Sequence, residues 1–315
     1  MTEPKEEDKL KKTKKKMSKI RQQQLTFVWG MLALPIIGLL VFYVYVNFNS
    51  ICMAFKNIDH TQGGIEYWTL ENFVTIFDLI KKGTKDGSLL LYARNTIIYW
   101  LPGVIWSLPF SILLTYAFHK KMWGHKIFRI LLYIPVIITP LALAGIFSNF
   151  IDVTGALGYV LQNIFHVSRV PSWFQEAEYV IPSLVFYSWF FNMAGSYVIF
   201  SGAIANIDRE IFEAAHMDGV SMWQELWYVC IPLMWPTISV TILGLVTGFF
   251  GASGAILLLA QNMEESWSLS YWIFDQVKYQ GSYYVPSALG LCFTLITFPI
   301  SLIVKKRLNN MFSTE

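Results

Sequence analysis

Six stretches of this chain carry no charged side chain and are long enough, as helices, to cross a lipid bilayer. They cover residues 27–46, 95–117, 130–148, 180–205, 236–261 and 284–304. A spanning helix needs about 20 apolar residues. The 24 Lys and Arg and the 21 Asp and Glu all lie outside these runs. Only 14% of residues are charged, 55% are hydrophobic, and the mean hydropathy is +0.46. A soluble domain carries roughly 25% charge, so this chain has too few charges to cover a soluble globule. Disorder, a nucleic-acid-binding domain and a coiled coil are poor fits for the same reason. The expected fold class is all-α, a polytopic membrane protein with six transmembrane helices. Prolines 35, 102, 109, 135, 140, 182 and 299 lie inside the runs. Membrane bundles tolerate them because neighbours satisfy the freed carbonyls.

Lys and Arg set the expected orientation. With the amino terminus inside, 17 fall on cytoplasmic segments and 7 on external ones. Both termini are then cytoplasmic and the chain sits in the cell membrane. Residues 1–26 read as a basic cytoplasmic tail that enforces this topology and meets anionic lipid heads. Residues 27–307 read as the transmembrane domain, and 308–315 as a second cytoplasmic tail. The run 27–46 is too long for a signal-peptide core and has no small-residue cleavage site close behind it, so it is expected to stay as the first helix. Cys52, Cys230 and Cys292 fall in different compartments, so no internal disulfide is expected. The five histidines show no metal-ligand spacing, and the dipeptide Gly-Lys of a phosphate-binding loop never occurs. No metal, cofactor, catalytic residue or nucleic-acid partner is expected of the chain itself.

No Asp, Glu, Lys, Arg or His lies inside the runs. Such groups mark proton relays and ion coupling, so any energy input has to come from a partner. The uncharged polar groups that do occur, Ser253 among them, serve most simply as helix–helix hydrogen bonds. The cluster Tyr187, Ser188, Trp189, Asn192, Ser196 is denser. Ser188, Asn192 and Ser196 share one helix face. Rings beside hydroxyl and amide groups suit a neutral polyhydroxy ligand.

The segment 206–235 should be cytoplasmic, yet it holds one basic residue and five acidic ones: Asp208, Glu210, Glu213, Asp218 and Glu225. It reads as two short helices. Asp208 is placed to cap the first. Asp218-Gly219 ends it, with glycine taking the left-handed conformation. Ser221 and Gln224 form a capping box for the second, and Pro232 is expected to close it. Ala214 and Ala215 are small enough for another surface to approach the backbone. The helix–glycine–helix pair is either a stiff lever or an amphipathic hairpin resting on the membrane.

Glu213-Ala214-Ala215-x3-Gly219-x9-Val229-x-Ile231-Pro232 resembles the E-A-A-x3-G-x9-I-x-L-P motif of ATP-binding-cassette (ABC) importer permeases, position for position. The string EAAHMDGVSMWQ is similar to the maltose-type carbohydrate branch, with Val220 where Ala is common. Glu71-Asn72-Phe73, Asn95-Thr96, Phe128-Arg129, Tyr133-Ile134-Pro135, Gly155 and Leu161 look like further landmarks. The resemblance implies a type I importer permease fold that works with a second permease subunit, two cytoplasmic ATPase subunits and an extracellular solute-binding protein. ATP and Mg would be bound by the ATPases. It implies that 206–235 is a coupling loop, with Glu213, Ala214, Ala215, Asp218, Gly219, Trp223 and Pro232 as the ATPase-coupling residues. Alignment on the motif without gaps brings Ser188, Asn192 and Gly195 before the loop, and Gly248, Phe249 and Ala252 after it, to ligand positions. With Trp189, Ser196 and Ser253 from the polar faces, these make up the expected substrate pathway.

The residues leave rivals. One is the same machine carrying another solute, although an acidic ligand would want a cation that these runs lack. Another is a carrier working without an ATPase. A membrane enzyme has no nucleophile–base or metal constellation to support it. Residues 47–94 are expected to form a small external cap, and 149–179 a further external loop.

Overall fold

The computed structural model describes residues 4–59, 64–81, 89–252 and 255–311, with side chains from Arg21 onward. It falls into two compact units, residues 1–70 and 71–315.

The first unit is a long helix and a hairpin. Helix α1 (Pro4–Gly38) passes through a π-type stretch, Leu39–Tyr45, into α2 (Val46–Ala54). The Asn47 amide donates to Tyr43 O at 2.6 Å inside the widened stretch. Strands β1 (Lys56–Asp59) and β2 (Ile65–Trp68) pair antiparallel, with Lys56 opposite Trp68. Lys56 and Glu66 close the pair with a 2.9 Å ion pair. The all-α expectation therefore holds except for this ribbon, which forms where the chain leaves the apolar helix.

The second unit is a helical bundle. In chain order it contains α3 (Glu71–Lys81), α4 (Leu89–Pro102), α5 (Leu108–His119), α6 (His125–Ile137), α7 (Pro140–Ile151) and α8 (Ala156–Asn163). Then follow α9 (Ala177–Ala205), α10 (Arg209–Met217), α11 (Met222–Glu225), α12 (Ile231–Thr247), α13 (Ile256–Leu259), α14 (Leu269–Lys278) and α15 (Tyr284–Met311). Among the described residues of both units, six helical stretches are long and apolar enough to cross a membrane. α9 is the axis, packed by α4, α5, α6 and α12.

Proline accounts for two irregular turns. Pro109 and Pro232 have no N–H to give to Ile105 and Tyr228, and each ring would crowd that carbonyl. The backbone opens into π-type turns there, at Gly103–Ser107 and Leu226–Cys230.

Two expected spans are broken. Residues 130–148 are not one helix. Ile138 and Thr139 are extended, because Pro140 disfavours the helical region for the residue before it. Thr139 then caps α7 by accepting from Ala142 N. The membrane-length stretch here is Pro140–Asn163. The run 236–261 also stops early. α12 ends at Thr247, a 3-10 turn covers Phe249–Gly251, and α13 follows. Glycines at 248, 251 and 254 weaken helix propensity over that stretch.

Candidate functional site

The loop between α9 and α12 folds as a hairpin. Asp208 holds the N-cap position of α10, though its side chain makes no capping hydrogen bond. The other end of α10 closes on itself. Gly219 takes φ +73, its N–H donates to His216 O at 3.1 Å, and Val220 N–H reaches Ala215 O at 3.2 Å. That is the Schellman pattern, which satisfies the last free carbonyls of a helix. Two residues on, Ser221 N–H donates to the Gln224 carbonyl side chain at 2.9 Å while Gln224 N–H donates back to Ser221 Oγ at 3.4 Å. The capping box fixes where α11 begins, and the Gly219 turn has a single backbone route.

Pro232 does not close the second helix. Met222–Thr247 is continuous, and the π-type turn just before Pro232 absorbs its missing N–H and ring. The hairpin is thus the direct extension of α12. Glu213, Ala214, Asp218, Gly219 and Trp223 are exposed, whereas Ala215 is buried against the bundle. Met217 and Trp223 stand out at 88% and 64% exposure on either side of the turn. Leu226, Cys230, Met234 and Ile238 seat this arm against Ile112, Tyr116, Phe200 and Ile204.

A cavity of about 500 Å³ opens midway along α9. The breaks in the two other spans form its walls. Ile138 and Pro140 come from the gap between α6 and α7, and Gly251 and Ala252 from the turn after α12. Irregular backbone at membrane depth is tolerated where it lines a cavity. Ser188 and Asn192 face in from α9, with Tyr187, Phe191 and Tyr99 supplying rings. Among the described residues, no Asp, Glu, Lys, Arg or His lines it. Among the described residues, no group of three His, Cys, Asp or Glu is placed to hold a metal ion.

Of the expected pathway residues that the structure describes, Ser188, Asn192 and Ala252 line this cavity and the others do not. Trp189 packs on Phe110 and Phe186, with ring centres at 6.4 and 5.8 Å. Gly195 and Ser196 are half-buried further along α9 toward the hairpin. Phe249 packs edge-on against Trp100 at 5.3 Å. Trp100 also donates its indole N–H to Leu245 O at 2.7 Å, a carbonyl near the end of α12. Ser253 lies outside the described residues.

Several contributors were hidden in the sequence. Tyr99 lines the cavity and donates to Ser266 O at 2.7 Å. One turn earlier, the fully buried Asn95 amide donates to Glu265 O at 2.7 Å and Trp267 O at 2.9 Å. Thr96 Oγ accepts from Leu269 N–H at 3.0 Å. α4 thereby latches the segment 265–269, and the cavity wall at 255–258 is tethered just before it. The only sequence signal was the pair Asn95-Thr96 in an apolar run. Glu225, one of the five acidic residues of segment 206–235, is buried and paired with Lys120 just beyond the end of α5.

Residues 88–310 match the family model for "binding-protein-dependent transport system inner membrane component". The polygalacturonan/rhamnogalacturonan transport system permease protein YteP of Bacillus subtilis is 24% identical over 97% of this chain and 94% of its own. The multiple sugar-binding transport system permease protein MsmF of Streptococcus mutans is 23% identical over 87% of this chain and 92% of its own. A subunit in the crystal structure of a bacterial ABC transporter that imports the acidic polysaccharide alginate superposes with a TM-score of 0.77. It is 20% identical and covers 95% of this chain and 100% of that one, so the likeness establishes the fold.

Proposed function

The chain belongs to the family of binding-protein-dependent transport system inner membrane components, and from that premise we propose that it is the permease subunit of an ATP-driven importer for a sugar or oligosaccharide. It forms half of the translocation pathway, with a second permease forming the other half. An extracellular binding protein delivers the solute. Two cytoplasmic ATPase subunits dock on the hairpin, hold the ATP and Mg, and leave this chain without catalytic chemistry. Both termini face the cytoplasm, with 1–26 and 308–315 as tails around the membrane domain.

One juxtaposition carries the reading. An exposed hairpin with a fixed glycine turn runs continuously into α12, and the far end of α12 breaks at the cavity. Glu213, Ala214, Asp218, Gly219 and Trp223 form the docking surface, Ala215 seats the hairpin on the bundle behind it, and Pro232 lies where the lever enters the bundle. Closure of the ATPase pair pulls the hairpin, and α12 passes the movement to the Gly248–Ala252 turn. The cavity then changes shape without any proton or ion being moved. Ser188 and Asn192 offer a hydroxyl and an amide to sugar hydroxyls, and Tyr187, Phe191 and Tyr99 offer ring faces to sugar C–H groups. Gly195 and Ser196 continue the same face toward the cytoplasm, while Trp189 and Phe249 flank it.

The uncharged lining favours a neutral saccharide. A second reading, an acidic saccharide, draws on the names of the alginate importer and the polygalacturonan permease. It needs a cation supplied by the second permease. The test is to purify the tagged chain from its own membrane and to screen any co-purified solute-binding protein by thermal shift. Co-purified ATPases and a melting rise with neutral oligosaccharides are expected. A rise with oligogalacturonides alone would select the second reading. A rise only with amino acids, or no ATPase in the preparation, would contradict the proposal.

A further inference from the structure

Lys120 stands one residue beyond α5, and both arms of the hairpin meet it. Its ammonium approaches the Glu225 carboxylate at 2.6 Å from Oε1 and 2.8 Å from Oε2. The same ammonium lies 5.7 Å from the centre of the Phe212 ring and 5.8 Å from that of Tyr116. Beside it the His119 ring packs on Phe212 at 4.7 Å. Phe212 belongs to α10 and Glu225 to α11, so one cation grips both arms and ties them to α5. The Glu225 side chain is 3% exposed and that of Lys120 26%. A carboxylate buried to that degree has to be paired. The contact is therefore a fixed join, unlike a surface pair that side-chain entropy and salt can open.

Resting on the function proposed above, we infer that Lys120 and Glu225 are positioning residues for coupling, joining α5 to the hairpin so that force applied at Gly219 moves α5, α11 and α12 as one body. The chain itself connects the hairpin only to α9 and α12. Ile112 and Tyr116 of α5 also pack on Leu226 and Cys230, but apolar side chains can slide past one another, so without the join α5 lags when the hairpin is pulled. With it, α5 moves too, and α5 packs along α9, which carries Ser188 and Asn192. The cavity is then driven from two sides.

The experiment uses the complete transporter with its ATPases in proteoliposomes. Cys52 and Cys292 are replaced by Ala, and the fully buried Cys230 is kept. Spin labels go on Met122→Cys and Met217→Cys, whose native side chains are 51% and 88% exposed on opposite sides of the join. Pulsed electron resonance measures their separation without nucleotide and after trapping with ATP, Mg and vanadate. One narrow distribution, unchanged by trapping, is expected. The paired variant Lys120→Met with Glu225→Met strands neither charge, so it folds, and its distribution should broaden and shift on trapping. The swapped pair Lys120→Glu with Glu225→Lys should narrow it again. An apolar pair identical to the parent in both states would overturn the inference. So would a parent distance that itself shifts on trapping, or a swapped pair no tighter than the apolar one. Absence of ATPases from the parent preparation would instead overturn the functional reading beneath it.

Discussion

The hairpin and the cavity are built on opposite principles. At the hairpin the turn is closed locally: a Schellman turn stops α10, a capping box starts α11, and Lys120 holds both arms. At the cavity two helices are interrupted, and the non-helical backbone at the breaks forms the wall. A part that transmits force needs one backbone conformation, and a part that admits and releases a ligand needs several of similar energy. Glycine shows the contrast. Gly219 sits at positive φ and fixes a turn, while Gly248 ends α12 at an ordinary negative φ and Gly251 closes the 3-10 turn after it.

The largest effect is expected at the turn. A side chain at Gly219 would meet nothing within 4 Å, so the obstacle there is the backbone alone. A β-branched residue at φ +73 costs about 1–2 kcal/mol or more. Gly219→Val should therefore change the hairpin angle and cut uptake by about tenfold or more, with the membrane level of the protein unchanged. Gly219→Asn, which accepts the left-handed conformation, should keep most uptake. Equal uptake in the two variants would dissolve the distinction between a fixed and an adjustable region.

The ion pair should be lopsided. Lys120→Met strands a buried carboxylate and is expected to lower stability by about 3–5 kcal/mol. Glu225→Gln leaves a partly exposed ammonium and should cost less. Thermal unfolding in detergent ranks them, and the reverse order would place the buried charge on the wrong partner.

A smaller loss is expected at the latch above the cavity. Asn95→Ala leaves the carbonyls of Glu265 and Trp267 without their donor, at about 1–3 kcal/mol. Unchanged thermal stability would mean that solvent takes over both bonds. The smallest effect belongs to the cavity itself. Asn192→Ala removes one hydrogen bond worth about 1 kcal/mol, so uptake should fall several-fold with ligand affinity of the isolated binding protein unaltered. Unchanged uptake would take Asn192 out of the pathway.

The same contrast explains what could be read from the sequence. The hairpin is legible because its determinants are neighbours in the chain: Glu213 to Gly219 and Ser221 to Gln224 contain their own stop and start signals. The unbroken run through Pro232 is not legible in this way, because the π-type turn before the proline absorbs it without ending the helix. The cavity was half legible. Ser188 and Asn192 share a face of one helix, so periodicity finds them. Alignment on the motif adds Ala252, while Tyr99 and Pro140 reach the same space from elements far apart in sequence. Hydropathy also treats 130–148 and 236–261 as unbroken, since Pro140 and the glycines change backbone geometry without changing apolarity. Phe249 took its expected role from alignment, yet its ring turns to Trp100. The Lys120–Glu225 pair spans 105 positions and leaves no local trace.

The central claim, that a pull on the hairpin reshapes the cavity through α12, is tested most directly by labelling Ser188→Cys from outside sealed proteoliposomes. Cys52 and Cys292 are replaced by Ala, and a membrane-impermeant maleimide reports access with and without vanadate trapping. Labelling should rise on trapping in the parent and stay flat in the Gly219→Val variant. A rate that trapping leaves unchanged in the parent, or raises equally in both, would contradict the claim.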